Sequence, residues 1–207
     1  MTFRMKGPEL RAVLVPLALG LALGAVGGWL WWTWWGPPPV GKVYETQAGP
    51  TWYPDPFDPG VTRDFTGTAT FVVLGFGLAL VLGLLGGWIA RHRAVPGLAA
   101  VLLASVAAAA LMTLIGLSQS PPDPQARADD VEIGTTLPGH LEVANGRVDL
   151  PTFVEELFND DDGVLEIPTP YLTWPVGALL GHMILMLSVT SEWRRPEQPS
   201  AVPAQQV

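Results

Sequence analysis

Four stretches of the chain consist almost entirely of apolar residues, and most of the charged residues lie in the segments between and around them. Each stretch is roughly 20 residues or longer, the length that an α-helix needs to cross the hydrocarbon core of a bilayer. None of the four contains Asp, Glu, Lys or Arg. The pattern predicts transmembrane helices at residues 12–35, 66–90, 95–117 and 170–190.

Composition agrees with a membrane protein, because 49% of the 207 residues are hydrophobic and only 14% are charged. A helical bundle is favoured over a β-barrel, since the alternation of about ten residues that marks a barrel strand does not occur. The predicted fold class is therefore an all-α membrane protein with four transmembrane helices. The chain has no cysteine, which excludes disulfides and thiolate metal ligands.

Basic residues predict the orientation, because cytoplasmic flanks of membrane helices collect Lys and Arg. Residues 1–11, 91–94 and 191–207 hold seven basic and three acidic side chains, whereas residues 36–65 and 118–169 hold four basic and sixteen acidic ones. Both termini are predicted to be cytoplasmic, with a disordered C-terminal tail and a small acidic extracytoplasmic cap. The expected location is the bacterial plasma membrane. The acidic exterior argues against nucleic acid as a partner.

Aromatic residues are concentrated at the end of the first span, where five tryptophans occur within seven residues. At about 100° per residue their rings point around most of the helix circumference. This distribution favours an aromatic belt at the membrane interface over the alternative, a one-sided ligand cage. The predicted belt comprises Trp29, Trp31, Trp32, Trp34, Trp35, Trp88, Tyr171, Trp174 and Trp193.

Small residues four positions apart occur in every predicted span, and this spacing lets helix backbones approach closely. The pattern favours a bundle that packs on itself. The alternative is that one stripe contacts another membrane protein. The glycines predicted to form helix contacts are Gly20, Gly24, Gly28, Gly83, Gly87, Gly177 and Gly181.

His182 is the one histidine within the predicted spans, and its position eleven residues from both Tyr171 and Trp193 places it near the bilayer midplane. A polar residue at that depth is a candidate functional group. The favoured interpretation is structural, with a neutral imidazole hydrogen-bonded to Ser105, Thr113 or a carbonyl oxygen. A proton relay is the alternative, although no carboxylate occurs in the spans.

The two exterior segments differ in pattern. Residues 36–65 contain seven prolines, which favour an extended loop over a helix or a sheet. Residues 118–169 are expected to rest on that loop, because they contain too few large apolar groups for a core of their own. Within them we predict minor β structure, two short strands turning at Asn145-Gly146, followed by a helix that begins at Pro151.

Motifs for catalysis are not found. The acidic run Asp160–Asp162 is followed by Gly163, but the spacing does not fit an EF-hand loop, so a solvated turn is favoured over a calcium site. The chain contains no nucleophile elbow, phosphate-binding loop or metal-ligand spacing. The sequence therefore predicts neither an enzyme nor a cofactor.

Two stretches, GTTLPGHLEV at residues 134–143 and PYLTWPVGALLG at residues 170–181, carry a resemblance to a known family. The chain resembles the uncharacterised actinobacterial membrane proteins grouped as domain of unknown function 2567. The resemblance extends from about Ala12 to Val189 and takes in the cytoplasmic termini and the acidic loop before the last span. It implies a multi-pass membrane protein and no activity, cofactor or site.

The predicted function is that of a non-catalytic accessory or scaffold subunit with an acidic extracytoplasmic surface. Membrane lipid is the expected partner, and another membrane protein is a further candidate. The alternative function is a small transporter or channel component that uses the helix bundle and His182.

Overall fold

The computed structural model describes residues 7–55, 61–90, 94–149 and 164–192. Within these ranges the protein is mostly helical. The helices are α1 (Gly7–Trp35), α2 (Val61–Ala90), α3 (Ala94–Gln119) and α4 (Thr169–Glu192). Each contains a segment long and apolar enough to cross a membrane, and these segments are Val13–Trp35, Thr66–Ile89, Val95–Gln119 and Thr169–Val189. The prediction of four such helices is confirmed.

Helices α1 and α3 form one closely packed parallel pair. Gly20 faces Ala104, and one turn later Gly24 faces Ala108. A β-carbon added to Gly20 would lie 2.7 Å from the carbonyl oxygen of Ala104, and one added to Gly24 would lie 2.5 Å from that of Ala108. Since both distances are shorter than van der Waals contact, only glycine allows the two backbones to approach this closely.

Helices α2 and α4 form the second close pair, with glycines on both sides of the contact. Gly83 lies against the carbonyl group of Ala178, and a β-carbon at Gly177 would lie 2.9 Å from the β-carbon of Ala79. All seven glycines predicted for helix packing lie at such contacts, with an atom of a neighbouring helix under 3.0 Å from an added β-carbon.

Strands form a cap at the end of the bundle where α1 and α3 finish. We define the cap as residues 36–55, 120–149 and 164–168. An antiparallel sheet has the order β2-β1-β3, and a separate antiparallel pair joins β4 and β5. The strands are β1 (Val40–Thr46), β2 (Gly49–Pro54), β3 (Thr136–Pro138), β4 (Asn145–Asp149) and β5 (Val164–Pro168). A short 3-10 helix spans Ala128–Asp130.

The prediction of a loop without sheet at residues 36–65 is wrong, because β1 and β2 form a hairpin there. The hairpin closes at Gly49, whose φ of 105° suits glycine. Thr46 supports this turn, since its hydroxyl accepts from the Ala48 N–H and donates to the Gly49 carbonyl oxygen. Pro50 and Pro54 are accommodated because β2 lies at the edge of the sheet.

The predicted turn at Asn145-Gly146 is also wrong. Both residues lie within β4, where Asn145 pairs with Pro168 and Gly146 with Ile167. Residues 140–144 cross the end of the bundle. β4 follows them and pairs with β5, the strand that leads directly into α4. The predicted helix at Pro151 and the acidic run at residues 160–162 lie outside the described residues.

The cap has a small apolar core formed by Val43, Ala128 and Leu137. Trp52 packs against this core, and its indole N–H donates to the Leu137 carbonyl oxygen over 3.1 Å. The pairing of β1 with β3 joins the first interhelical segment to the second. This pairing confirms that the second segment rests on the first.

Candidate functional site

Trp31 lies at the junction of three helices, just below the cap. Its side chain is fully buried, and its indole N–H donates to the Gly67 carbonyl oxygen over 2.8 Å. Phe71 of α2 packs edge-to-face on the ring, with centroids 4.9 Å apart. On α3, Gly116 leaves the space that the indole occupies. Trp31 therefore joins α1, α2 and α3 from the interior of the bundle.

Trp174 is likewise fully buried, beside Gly75 of α2. Its indole N–H has no hydrogen-bond partner among the described residues. Trp31 and Trp174 do not fit the predicted aromatic belt, because helix packing turns both rings into the bundle. The angles of side chains around an isolated helix could not show this, since they do not reveal which face meets a neighbour.

Three members of the predicted belt, Trp29, Trp34 and Trp88, expose more than half of their surface, and Tyr171 exposes 43%. Trp32 and Trp35 are half-buried and lie against the bundle core, with 5.7 Å between their ring centroids. The outward position of the first four suits a membrane interface, and for them the belt stays a prediction. Trp193 lies outside the described residues.

His182 is buried between α4 and α2, with 4% of its surface exposed. A β-carbon at Gly87 would lie 2.9 Å from the imidazole Nδ1, which has no hydrogen-bond partner among the described residues. The hydroxyl groups of Ser105 and Thr113 donate to carbonyl oxygens of their own helix. His182 therefore makes no hydrogen bond with Ser105 or Thr113, two of the three kinds of partner expected for it.

Polar side chains are few inside the bundle. Among residues whose burial is described, Ser105, Thr173 and His182 are the buried polar ones. Ser105 and Thr173 both donate to carbonyl oxygens within their own helices. They do not form a connected polar path with His182.

Residues 140–144, which we call the closing segment, cross the cap end of the bundle. Leu141 is 1% exposed and packs into the bundle core. Its backbone N–H donates to the Ser120 hydroxyl over 2.7 Å, at the end of α3. The Ala144 N–H donates to the Thr68 hydroxyl of α2 over 2.9 Å. The segment is thus fixed to two helices by hydrogen bonds and to the core by a side chain.

His140 lies in the closing segment between two carboxylates. Its Nε2 donates to Glu142 Oε1 over 2.6 Å, and its Nδ1 lies 3.7 Å from Asp123 Oδ1. The carboxylates contact opposite sides of the ring, so this trio does not surround a single point as metal ligands would. In the part of the chain that the structure describes, no group of three His, Cys, Asp or Glu side chains could hold a metal ion.

A groove of about 370 Å³ lies beside the closing segment, between α3 and the start of α4. Thr113 and Leu117 form its α3 wall, and Pro170 and Tyr171 form its α4 wall. Residues 140–143 complete it. Sequence analysis missed this groove because its walls come from three segments that are far apart along the chain.

Among the cap residues whose exposure is described, acidic side chains outnumber basic ones. At residues 36–55 and 118–144, Arg127 is exposed and Lys42 is half-buried. Lys42 pairs with Asp55, and this hydrogen bond, together with the charge of the carboxylate, raises the pKa of Lys42. The exposed carboxylates in these two ranges are those of Glu45, Asp55, Asp123, Asp129, Asp130, Glu132 and Glu142.

Comparisons of the chain with protein-family models, with curated proteins and with solved structures give no match. The candidate functional features therefore come from the geometry: the exposed carboxylates at residues 36–55 and 118–144, the buried imidazole of His182, and the groove beside the closing segment.

Proposed function

We propose that this protein is a non-catalytic accessory or scaffold subunit of the bacterial plasma membrane. In this proposal the bundle anchors the cap, and the cap presents an acidic extracytoplasmic surface to another membrane protein. The observation that carries the proposal is the excess of exposed carboxylates on the cap.

A dense group of exposed carboxylates on this surface lies on and just after the short 3-10 helix. Asp129, Asp130 and Glu132 are all exposed there, whereas the neighbouring Ala128 is buried in the core of the cap. Because Ala128 packs into this core, the backbone that carries the three carboxylates is held against the sheet. A surface of one sign accelerates encounter with a complementary partner and disfavours partners of the same sign. The expected partner therefore exposes a basic segment.

The orientation is supported by the division of Lys and Arg between the two sides, and labelling would test it. The chain has no cysteine, so a single cysteine can be introduced without background. An Asp129→Cys variant should react with a membrane-impermeant thiol reagent in intact cells. An Arg11→Cys variant should react only after permeabilisation. The reverse pattern would contradict the proposed topology.

A matched pair of variants tests the acidic surface. Asp129→Asn, Asp130→Asn and Glu132→Gln together should abolish co-purification of the partner in mild detergent. Exchanging the same acids for one another, with Asp129→Glu, Asp130→Glu and Glu132→Asp, keeps the charge and should preserve it. Equal recovery with both triple variants would show that the carboxylates do not bind the partner.

A transport component is the second candidate function. It is favoured by His182, which is buried in the bundle with an unpartnered Nδ1. Proton flux into vesicles that contain the purified protein is the measurement. A flux that His182→Gln eliminates, at unchanged thermal stability, would replace the scaffold proposal. The absence of flux in the wild-type protein would exclude proton transport by this chain alone.

A further inference from the structure

The groove between α3 and α4 crosses the boundary between the membrane-spanning helices and the cap. Thr113 and Leu117 lie in one candidate span, and Tyr171 lies near the start of another. Thr113 precedes the last residue of α3, Gln119, by six positions, which is a depth of about 9 Å at 1.5 Å per residue. The groove therefore extends from hydrocarbon depth to the aqueous side.

The character of the groove wall changes along this direction. Leu117, Leu141 and Val143 are apolar, and the hydroxyl group of Thr113 already donates to the Ala109 carbonyl oxygen. Farther toward the cap the wall carries the His140–Glu142 pair. An apolar wall at depth and a polar wall above match an amphiphile that lies along the bilayer normal.

The charge at the polar end favours a cation. Glu142 exposes 55% of its side chain and uses Oε1 to accept from His140. A carboxylate has acceptor capacity beyond one hydrogen bond. Asp123 adds a second negative charge on the far side of His140, and neither Lys nor Arg is among the described residues that line the groove. An ammonium group is therefore attracted here, whereas a headgroup with net negative charge is repelled.

The wall that carries Glu142 is fixed before any ligand arrives. The Thr169 hydroxyl donates to the Ala144 carbonyl oxygen over 2.5 Å, which ties the closing segment to α4 in addition to α2 and α3. The backbone of Glu142 also approaches Gly67 closely, since a β-carbon there would lie 2.8 Å from the Glu142 carbonyl oxygen. Such pre-organisation reduces the entropy that binding must remove.

We propose that this groove binds a membrane lipid with a primary-amine headgroup, with one acyl chain between α3 and α4 and the ammonium group at Glu142. The occupant is a lipid because Thr113, Leu117, Pro170 and Tyr171 of the groove wall lie in candidate membrane spans. This site does not depend on the acidic surface formed by Asp129, Asp130 and Glu132, so its test is independent of the scaffold proposal.

Native mass spectrometry of the delipidated full-length protein tests the headgroup. Micelles would contain equal amounts of dioleoyl phosphatidylethanolamine and dioleoyl phosphatidylglycerol. We expect bound phosphatidylethanolamine to exceed phosphatidylglycerol by about tenfold, the effect of roughly one hydrogen bond to a charged group. Glu142→Gln should remove the preference. Glu45→Gln deletes the same charge from an exposed residue of β1 that does not line the groove, and it should leave the preference unchanged.

A second pair of variants tests the acyl chain. Leu117→Trp would fill the groove from an exposed position on its wall and should abolish retention of both lipids. Leu114→Trp changes a residue that is 66% exposed on the same helix and does not line the groove. It should leave retention unchanged. Thermal stability measured in parallel would show that both variants fold.

Several results would overturn the proposal. Equal retention of the two lipids, or preference for phosphatidylglycerol, would exclude recognition of an ammonium group. Retention that survives Leu117→Trp in a folded protein would place the lipid elsewhere. Displacement of the lipid by millimolar ethanolamine would assign the groove to a water-soluble amine.

Discussion

The bundle and the cap are held together in different ways. In the bundle, glycines at intervals of four residues bring whole helix backbones into contact, as between α1 and α3. In the cap, three buried residues form the core, and contacts connect distant parts of the chain. The indole of Trp52, for example, donates to a carbonyl group 85 residues away. The bundle is therefore stabilised by packing along whole helices, and the cap by a small apolar core together with individual hydrogen bonds between distant residues.

Trp31 should show the largest effect, because it lies where the bundle meets the cap. Trp31→Ala would leave a cavity among three helices and remove the hydrogen bond to Gly67. We expect the free energy of unfolding in mixed micelles to fall by about 3–5 kcal/mol. Trp34→Ala removes an exposed indole from the same cluster and should change it by about 0.5 kcal/mol or less. A similar loss of unfolding free energy in the two variants would contradict the assignment of Trp31 to the interior.

The glycine contacts should give the next largest effect. Gly83→Ala would push a methyl group into the backbone of Ala178, which cannot move aside as a side chain can. We expect the free energy of unfolding in mixed micelles to fall by about 1–3 kcal/mol.

Gly77 provides the matched control on the same helix. It is exposed, and an added β-carbon there has nothing within 4 Å. Gly77→Ala should therefore stabilise the protein slightly, by up to about 1 kcal/mol, because alanine favours the helix more than glycine does. Destabilisation by both substitutions would show that helix contacts are not what distinguishes Gly83.

The sequence predicted the bundle well because its signals are local. Uninterrupted apolar stretches indicate the helices, and the spacing of residues such as Gly20 and Gly24 indicates how they pack. The inward rotation of Trp31 and Trp174 was not predictable, because the packed face of a helix depends on its neighbours. Asn145-Gly146 resembles a hairpin turn locally, but the closing segment extends the chain across the bundle end and places both residues in a strand.

The cap should respond more weakly than the bundle to the loss of one side chain. Gln125 covers the open edge of β2, where its Oε1 accepts from the Trp52 N–H over 3.0 Å and its Nε2 donates to Pro50. Gln125→Ala should lower the free energy of unfolding by about 1 kcal/mol. Amide exchange should accelerate in β2 and stay unchanged in α2. Gln47→Ala at the exposed tip of the same hairpin is the control, and acceleration throughout α2 would contradict a local role.

The smallest effect is expected for the pair Lys42–Asp55, whose side chains are 42% and 38% exposed. Asp55 raises the pKa of Lys42 above its ordinary value of 10.5. The contribution of the pair is therefore complete below that pH and is lost as the pH rises through the higher pKa of the folded state. The difference in melting temperature between wild type and Lys42→Gln should be small at pH 8 and should disappear above that pKa. High salt should reduce it as well, because exposed charges are screened. A difference that grows with pH would have the wrong sign for a raised lysine pKa, and the pair could then not be a stabilising contact of the cap.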